Sequence, residues 1–169
     1  MCYTNREAVF KTGETGKNRG LSRRGCFLAG RKKGGITIKT LAIRQPWISL
    51  IAEGDKTIEV RSWPTGYRGP LLLVASGKPL RVDCDGEIFT LPAGIQVCIA
   101  DVVDCRLLRK ADLVAACLDD VPGFDIAGQW AWCLANVRQV APTPHKGRLR
   151  LYETPDEEII ILPSSRRRL

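Results

Sequence analysis

A succession of short apolar runs, each closed off by Gly, Pro, Asp or Ser, is the feature that most limits what this chain can become. ITIKTLAI sets Ile36 and Ile38 on one side and reads as a strand, and KTIEVRSW and PLLLVAS read as a second and third, split by the turn-rich PTGYRG. Between the first two lies QPWISLIAEG. There Pro46 suits a first helical turn, Trp47, Leu50 and Ile51 recur at helical spacing, and Gly54 is placed to end the helix, so the expectation is a helix over Pro46 to Glu53. Asp85-Gly86 is a hairpin turn signal between LRVDC and EIFTL. IQVCIADVVDCRLL reads as a long strand, KADLVAACLDD as a short second helix and DVPGFDIAG as a loop; WAWCLANVRQV, GRLRLYET and EEIIIL read as further strands. About seven strands with two short helices and no βαβ rhythm give an α+β, mostly β chain, curled into a mixed, largely antiparallel barrel. Neither GxGxxG nor GxxxxGK[ST] occurs, so a dinucleotide fold or a P-loop has no support.

The 169 residues, 44% hydrophobic, are enough for one core. The longest apolar run, PLLLVA, is far below the roughly 18 residues of a membrane span, and the basic N-terminus lacks the apolar stretch of a secretory signal, so the reading is soluble and cytoplasmic, without a membrane partner. A net charge of +8 suggests nucleic acid until it is divided along the chain. Residues 1–36 hold nine basic side chains against Glu7 and Glu14, and Arg166, Arg167 and Arg168 add three more, which leaves residues 37–165 at a net of −2. The folded middle therefore has no bulk charge with which to hold phosphate and needs a local pocket. Residues 1–35 read as a disordered basic arm, a solubilising tail with electrostatic contact to RNA as the alternative, residues 36–155 as the domain, and 156–169 as a final strand with a basic tail. Seven cysteines without a CxxC pair, and His145 as the only histidine, argue against a disulfide framework, a metal site or any cofactor, and fit a reducing compartment.

EGDKTIEVRSWP carries the densest polar pattern. On a strand, Thr57, Glu59, Arg61 and Trp63 share one face and Ile58 and Val60 the other, which assigns Ile58 and Val60 to the barrel core. By alternation alone, Glu59 and Arg61 are equally a surface ion pair or the edge of a pocket. From LAIRQPW through GDKTIEVRSWPTGYRGPLLLVAS, with QWAWCLANVRQV and KGRLRLY later, the chain closely resembles the ASCH (activating signal cointegrator homology) family over about residues 37–153. The carrying elements are the QPW opening, a G-x-K-x-x-E-x-R signature at Gly54, Lys56, Glu59 and Arg61, and SWP-x-x-YRGP.

That resemblance implies a small PUA-like β-barrel whose central cleft is lined by the signature, with RNA or a nucleotide as partner. In such a cleft Lys56, on a flexible stem, would offer a point charge or a base of lowered pKa, Arg61 a planar two-pronged donor, and Glu59 an acceptor. Trp47, Trp63 and Tyr67 are the stacking candidates, and Arg68 joins the ligand-binding set. Some relatives resemble hydrolases that remove acyl groups from cytidine with a Lys and a Thr three residues later; here that position is Glu59. A hydrolytic alternative, on an N-acylated nucleoside or on RNA, would use Glu59 to activate water, Lys56 and Arg61 on the oxyanion and Asp101 as second carboxylate. A protein-interaction module is the third class.

Overall fold

Residues Thr37–Arg44 form β1, and the turn at Gln45-Pro46 leads directly into helix α1, Trp47–Glu53. Gly54 ends α1 in the left-handed conformation at φ 90°, and its N–H and those of Asp55 and Lys56 bond the last carbonyls of the helix. A side chain there would be strained, so glycine fixes where the chain leaves the helix. Strands β2 (Ile58–Arg61) and β3 (Gly69–Ser76), the hairpin strands β4 (Leu80–Cys84) and β5 (Glu87–Leu91), the long β6 (Ile95–Leu107), β7 (Trp130–Gln139) and β8 (Leu151–Pro155) follow. This computed structural model describes residues 36–163. The basic arm at 1–35 and the arginines at 166–168 lie outside the described residues.

Six strands make one mixed sheet in the order β2-β7-β6-β3-β1-β8, and β4-β5 stand apart as a two-stranded sheet. Only β1 and β3 run parallel, as α1 and β2 intervene between them; the other pairs are antiparallel. The register slips between Leu73 and Val74 in β3, and twice in the β6-β7 ladder, between Ile99 and Asp101 and between Val102 and Asp104. Such bulges bend strands, and the sheet curls into a half-barrel around α1. β3 is buried on both faces. Leu71, Leu73 and Ala75 join Ile48, Ile51, Trp132 and Leu134 inside the curl, while Leu72 and Val74 meet Ile99 and Val140 on the outside, which explains a continuous apolar run without alternation.

The structure corrects several expectations. Ile58 and Val60 do not pack inside the curl: they face a second cluster with Leu108, Ala116, Leu118 and Ala131, so it is the Glu59 side of β2, level with Trp132 on β7, that turns inward. The second helix shrinks to one 3₁₀ turn, Lys110–Asp112: the Asp112 carboxylate accepts from the Arg109 N–H and starts the turn, but Cys117 takes a positive φ of 53°, which a right-handed helix cannot pass through. Its apolar pattern was still informative, since Leu113 and Ala116, three apart, both pack into that second cluster. EEIIIL is no strand: a 3₁₀ turn, Asp156–Glu158, precedes a single bridge from Ile161 to Val140. GRLRLYET starts pairing only at Leu151. At Asp85-Gly86 both residues have positive φ, as a tight hairpin turn requires.

Candidate functional site

The curled sheet is open between its edge strands β2 and β8. β8 pairs with β1 over Thr37–Leu41, so Ala42, Ile43 and Arg44 run on past its start. Arg61 reaches across the seam from β2 and its Nη2 donates to the Ala42 carbonyl at 2.9 Å. A cleft of about 470 Å³ lies here, walled by Leu41–Arg44, Trp47, Glu59, Arg61, the β3 end at Ser76 and Gly77, and the loop Gly147–Arg150.

Lys56 does not line the cleft; it is buried beside Glu59, which does. It is 2% exposed, its Nζ donates to the Ala116 carbonyl at 2.7 Å, lies 3.7 Å from Glu59 Oε2 and sits 5.3 Å from the Trp47 ring centre. The flexible point charge expected from its place after the helix is thus a pinned, dry cation: residues 115–118 fold over it. Glu59 is 7% exposed, and its Oε1 lies 3.1 Å from Arg61 Nε, off the line of a good hydrogen bond. Burial pushes the Glu59 carboxyl up, against the pull of Lys56 and Arg61, and pushes the Lys56 ammonium down, against the pull of Glu59. Both shifts have one cause: loss of water disfavours each charged form.

The other predicted residues divide. Trp47 lines the cleft. Trp63 packs edge-on against Trp132 with ring centres 4.7 Å apart, its carbonyl accepts from the Trp132 indole, and the Arg150 guanidinium lies 6.0 Å from its ring. It touches the site through Arg150. Tyr67 packs against the core and its hydroxyl donates to the Pro70 carbonyl. Arg68 pairs with Asp104 at 3.2 Å and with local carbonyls. Asp101 is held by Arg138 and, at 3.0 Å, by Asn136. None of Tyr67, Arg68 and Asp101 lines the cleft.

Arg44, Arg148 and Arg150 line it and were missed. The signal was KGRLRLY, three basic residues around one glycine, read as a strand. A Cβ on Gly147 would stand 3.0 Å from the Ala42 Cβ and 3.5 Å from that of Ser76, so only glycine lets this loop lie against the ends of β1 and β3. Backbone bonds from the Gln96 N–H to Thr143 (2.9 Å) and from the His145 N–H to Gly94 (2.7 Å) moor its approach. Arg150 itself has φ 59°, strained for a residue with a side chain. Among the described residues no group of side chains is arranged to hold a metal ion, and no helix is long and apolar enough to cross a membrane.

A curled, mixed β-sheet around one short helix, with a cationic cleft at its open seam, defines a small PUA-like module. A family model, the ASCH domain, matches residues 41–144, and the chain belongs to that family. Activating signal cointegrator 1 of Mus musculus is 50% identical, and that of Homo sapiens 47%, over 38 residues, 22% of this chain. The matched stretch spans 6% of the length of those proteins. The crystal structure of ASCH from Zymomonas mobilis aligns with a TM-score of 0.51 at 14% identity, covering 71% of this chain and 89% of that one; this likeness concerns the fold.

Proposed function

We propose that the protein is a nucleotide- or RNA-binding module whose ligand lies in the seam cleft. The observation that carries this reading is the convergence of Arg44, Arg61, Arg148 and Arg150 around a 470 Å³ hollow with Glu59 as its one acid. That volume suits a small ligand, and planar guanidiniums grip phosphate in two-pronged bonds. The folded middle is slightly acidic overall, so this local excess is a built feature and not part of a basic surface. Trp47, Leu41 and Leu149 supply apolar wall for a base, and Glu59 an acceptor for its amino group. Cys98, Cys105, Cys117 and Cys133 are free thiols, which supports a reducing, cytoplasmic setting.

The test is calorimetric titration of a pyrimidine and a purine mononucleotide. Arg148→Ala should weaken binding about 10- to 100-fold, with unchanged melting, because that side chain is exposed. Unchanged affinity, or no mononucleotide raising the melting temperature, would leave a protein-interaction module as the better reading.

A hydrolytic reading rests on one further observation, the Lys56–Glu59 pair with ionisation disfavoured on both sides. Glu59 would take a proton from water, the hydroxide would add to the amide carbonyl of an N-acylated base, and the departing amine would leave protonated, yielding acid and free base. Turnover of acylated cytidine, lost in Glu59→Gln, would establish it.

A further inference from the structure

A second hollow, about 210 Å³, adjoins the cleft and shares Arg148 with it. His145, Lys146, Tyr152 and Glu158 line its other sides. Tyr152 on β8 is half-buried; its hydroxyl lies 3.1 Å from His145 Nε2, the two rings are stacked with centres 6.0 Å apart at 18°, and the Arg148 guanidinium sits 5.5 Å from the Tyr152 ring. Tyr152 thus orders both neighbours. Glu153, also on the rim, is spent on Lys39 at 2.9 Å, which leaves Glu158 as the opposing acid against Lys146 and Arg148. The same moored loop that carries Arg148 and Arg150 into the cleft carries His145 and Lys146 into this hollow.

We propose that this hollow is a second anion subsite, taking the phosphate of the nucleotide next to the one in the main cleft, so that the ligand is a single-stranded oligonucleotide. The proposal rests on the nucleotide reading of the cleft. Its size points the same way: too small for a whole nucleotide by the usual range of ligand pockets, it has room for a phosphate and part of its sugar. Arg148, which faces both hollows, would sit between consecutive phosphates, as one fork can serve two acceptors. The aromatic pair offers the sugar or base an apolar flank.

The experiment compares cytidine monophosphate with a cytidine dinucleotide carrying two phosphates, at two or more salt concentrations, on the full chain and on Lys146→Glu. Lys146 is exposed and faces the second hollow only, so the variant should fold and bind the mononucleotide within about twofold of the parent. The dinucleotide should bind the parent about 10-fold more tightly than the mononucleotide, with a salt slope steeper by about 0.7 for the extra phosphate, and Lys146→Glu should abolish both gains. Mononucleotide binding with no gain for the dinucleotide, or a gain that survives Lys146→Glu together with His145→Ala, overturns this subsite and leaves the cleft standing. Binding of neither ligand overturns both.

Discussion

On the β2 side of the cleft Glu59 and the Lys56 behind it are shut away from water and Arg61 is pinned at both ends, whereas on the facing loop Arg148 and Arg150 stand exposed on a backbone moored at Gly94, Ile95, Gln96 and Gly147. One wall has its electrostatics committed to the fold. The other holds its charge in reserve. The contrast teaches that a signature read from sequence can mark the buried side of a cleft, while its exposed charges come from a segment, KGRLRLY, whose pattern reads only as a strand.

The strongest way to break this comparison is to remove Glu59. Glu59→Ala leaves the Lys56 ammonium buried without its carboxylate, and unfolding in urea should show a loss of about 3–5 kcal/mol. A loss below about 1 kcal/mol would mean the pair is not a structural element, and the two walls would be alike. Arg61 falls between the walls: with its bond to Ala42 and its place beside Glu59, truncating it costs fold as well as affinity.

A second network, away from the cleft, gives a control of known sign. Arg106 bonds Asp112 through both Nη atoms, at 2.6 and 2.7 Å, and with the Arg109 N–H holds that carboxyl down to about 2 from its ordinary 3.8. A depressed carboxyl stabilises the fold at pH above its ordinary value and loses that contribution as pH falls toward the folded value. Stability should therefore drop by roughly 1–2 kcal/mol between about pH 4 and pH 2, after allowance for the partly exposed Arg106, and Asp112→Asn should remove that part of the acid dependence. Glu59, with its carboxyl pushed up, contributes with the opposite sign: burial favours the fold at low pH, and this is lost as pH rises through the raised value.

The smallest effect sharpens the loop side. Arg150→Gly should relieve the positive φ and stabilise the protein by up to about 1 kcal/mol while weakening nucleotide binding, a trade opposite to that of Glu59→Ala. Thermal melts and titration on the same sample check it; a destabilised variant would show that the stack on Trp63 outweighs the strain.

Most strands, the α1 stop at Gly54 and the Asp85-Gly86 turn were legible because each is set by local chemistry: alternation, a left-handed glycine, a two-residue turn. The inward face of β2 was not. Alternation separates Ile58 from Glu59 but does not say which face is inside, and here both are buried, since residues 108–126 supply a second apolar layer. Asp101 was expected in the site because an acid in an apolar strand is conspicuous, but its partners Asn136 and Arg138 come from β7, a pairing that sequence order does not disclose. Arg44, Arg148 and Arg150 meet only because β1 outruns β8 and the parallel β1-β3 pair brings Ser76 beside Arg44.

The pairing of β1 with β8 also governs when the cleft can come into being. Thr40 and Thr154 share a buried hydrogen bond of 2.7 Å across a separation of 114 positions, among the last links that close the sheet. Closing so long a loop is entropically late, and topologies dominated by distant contacts fold slowly. During synthesis the β2 wall, with Lys56 and Glu59, leaves the ribosome long before Arg148, Arg150 and the strand that positions them. A partly made chain therefore has one wall of the cleft, and the proposed site is complete only with β8.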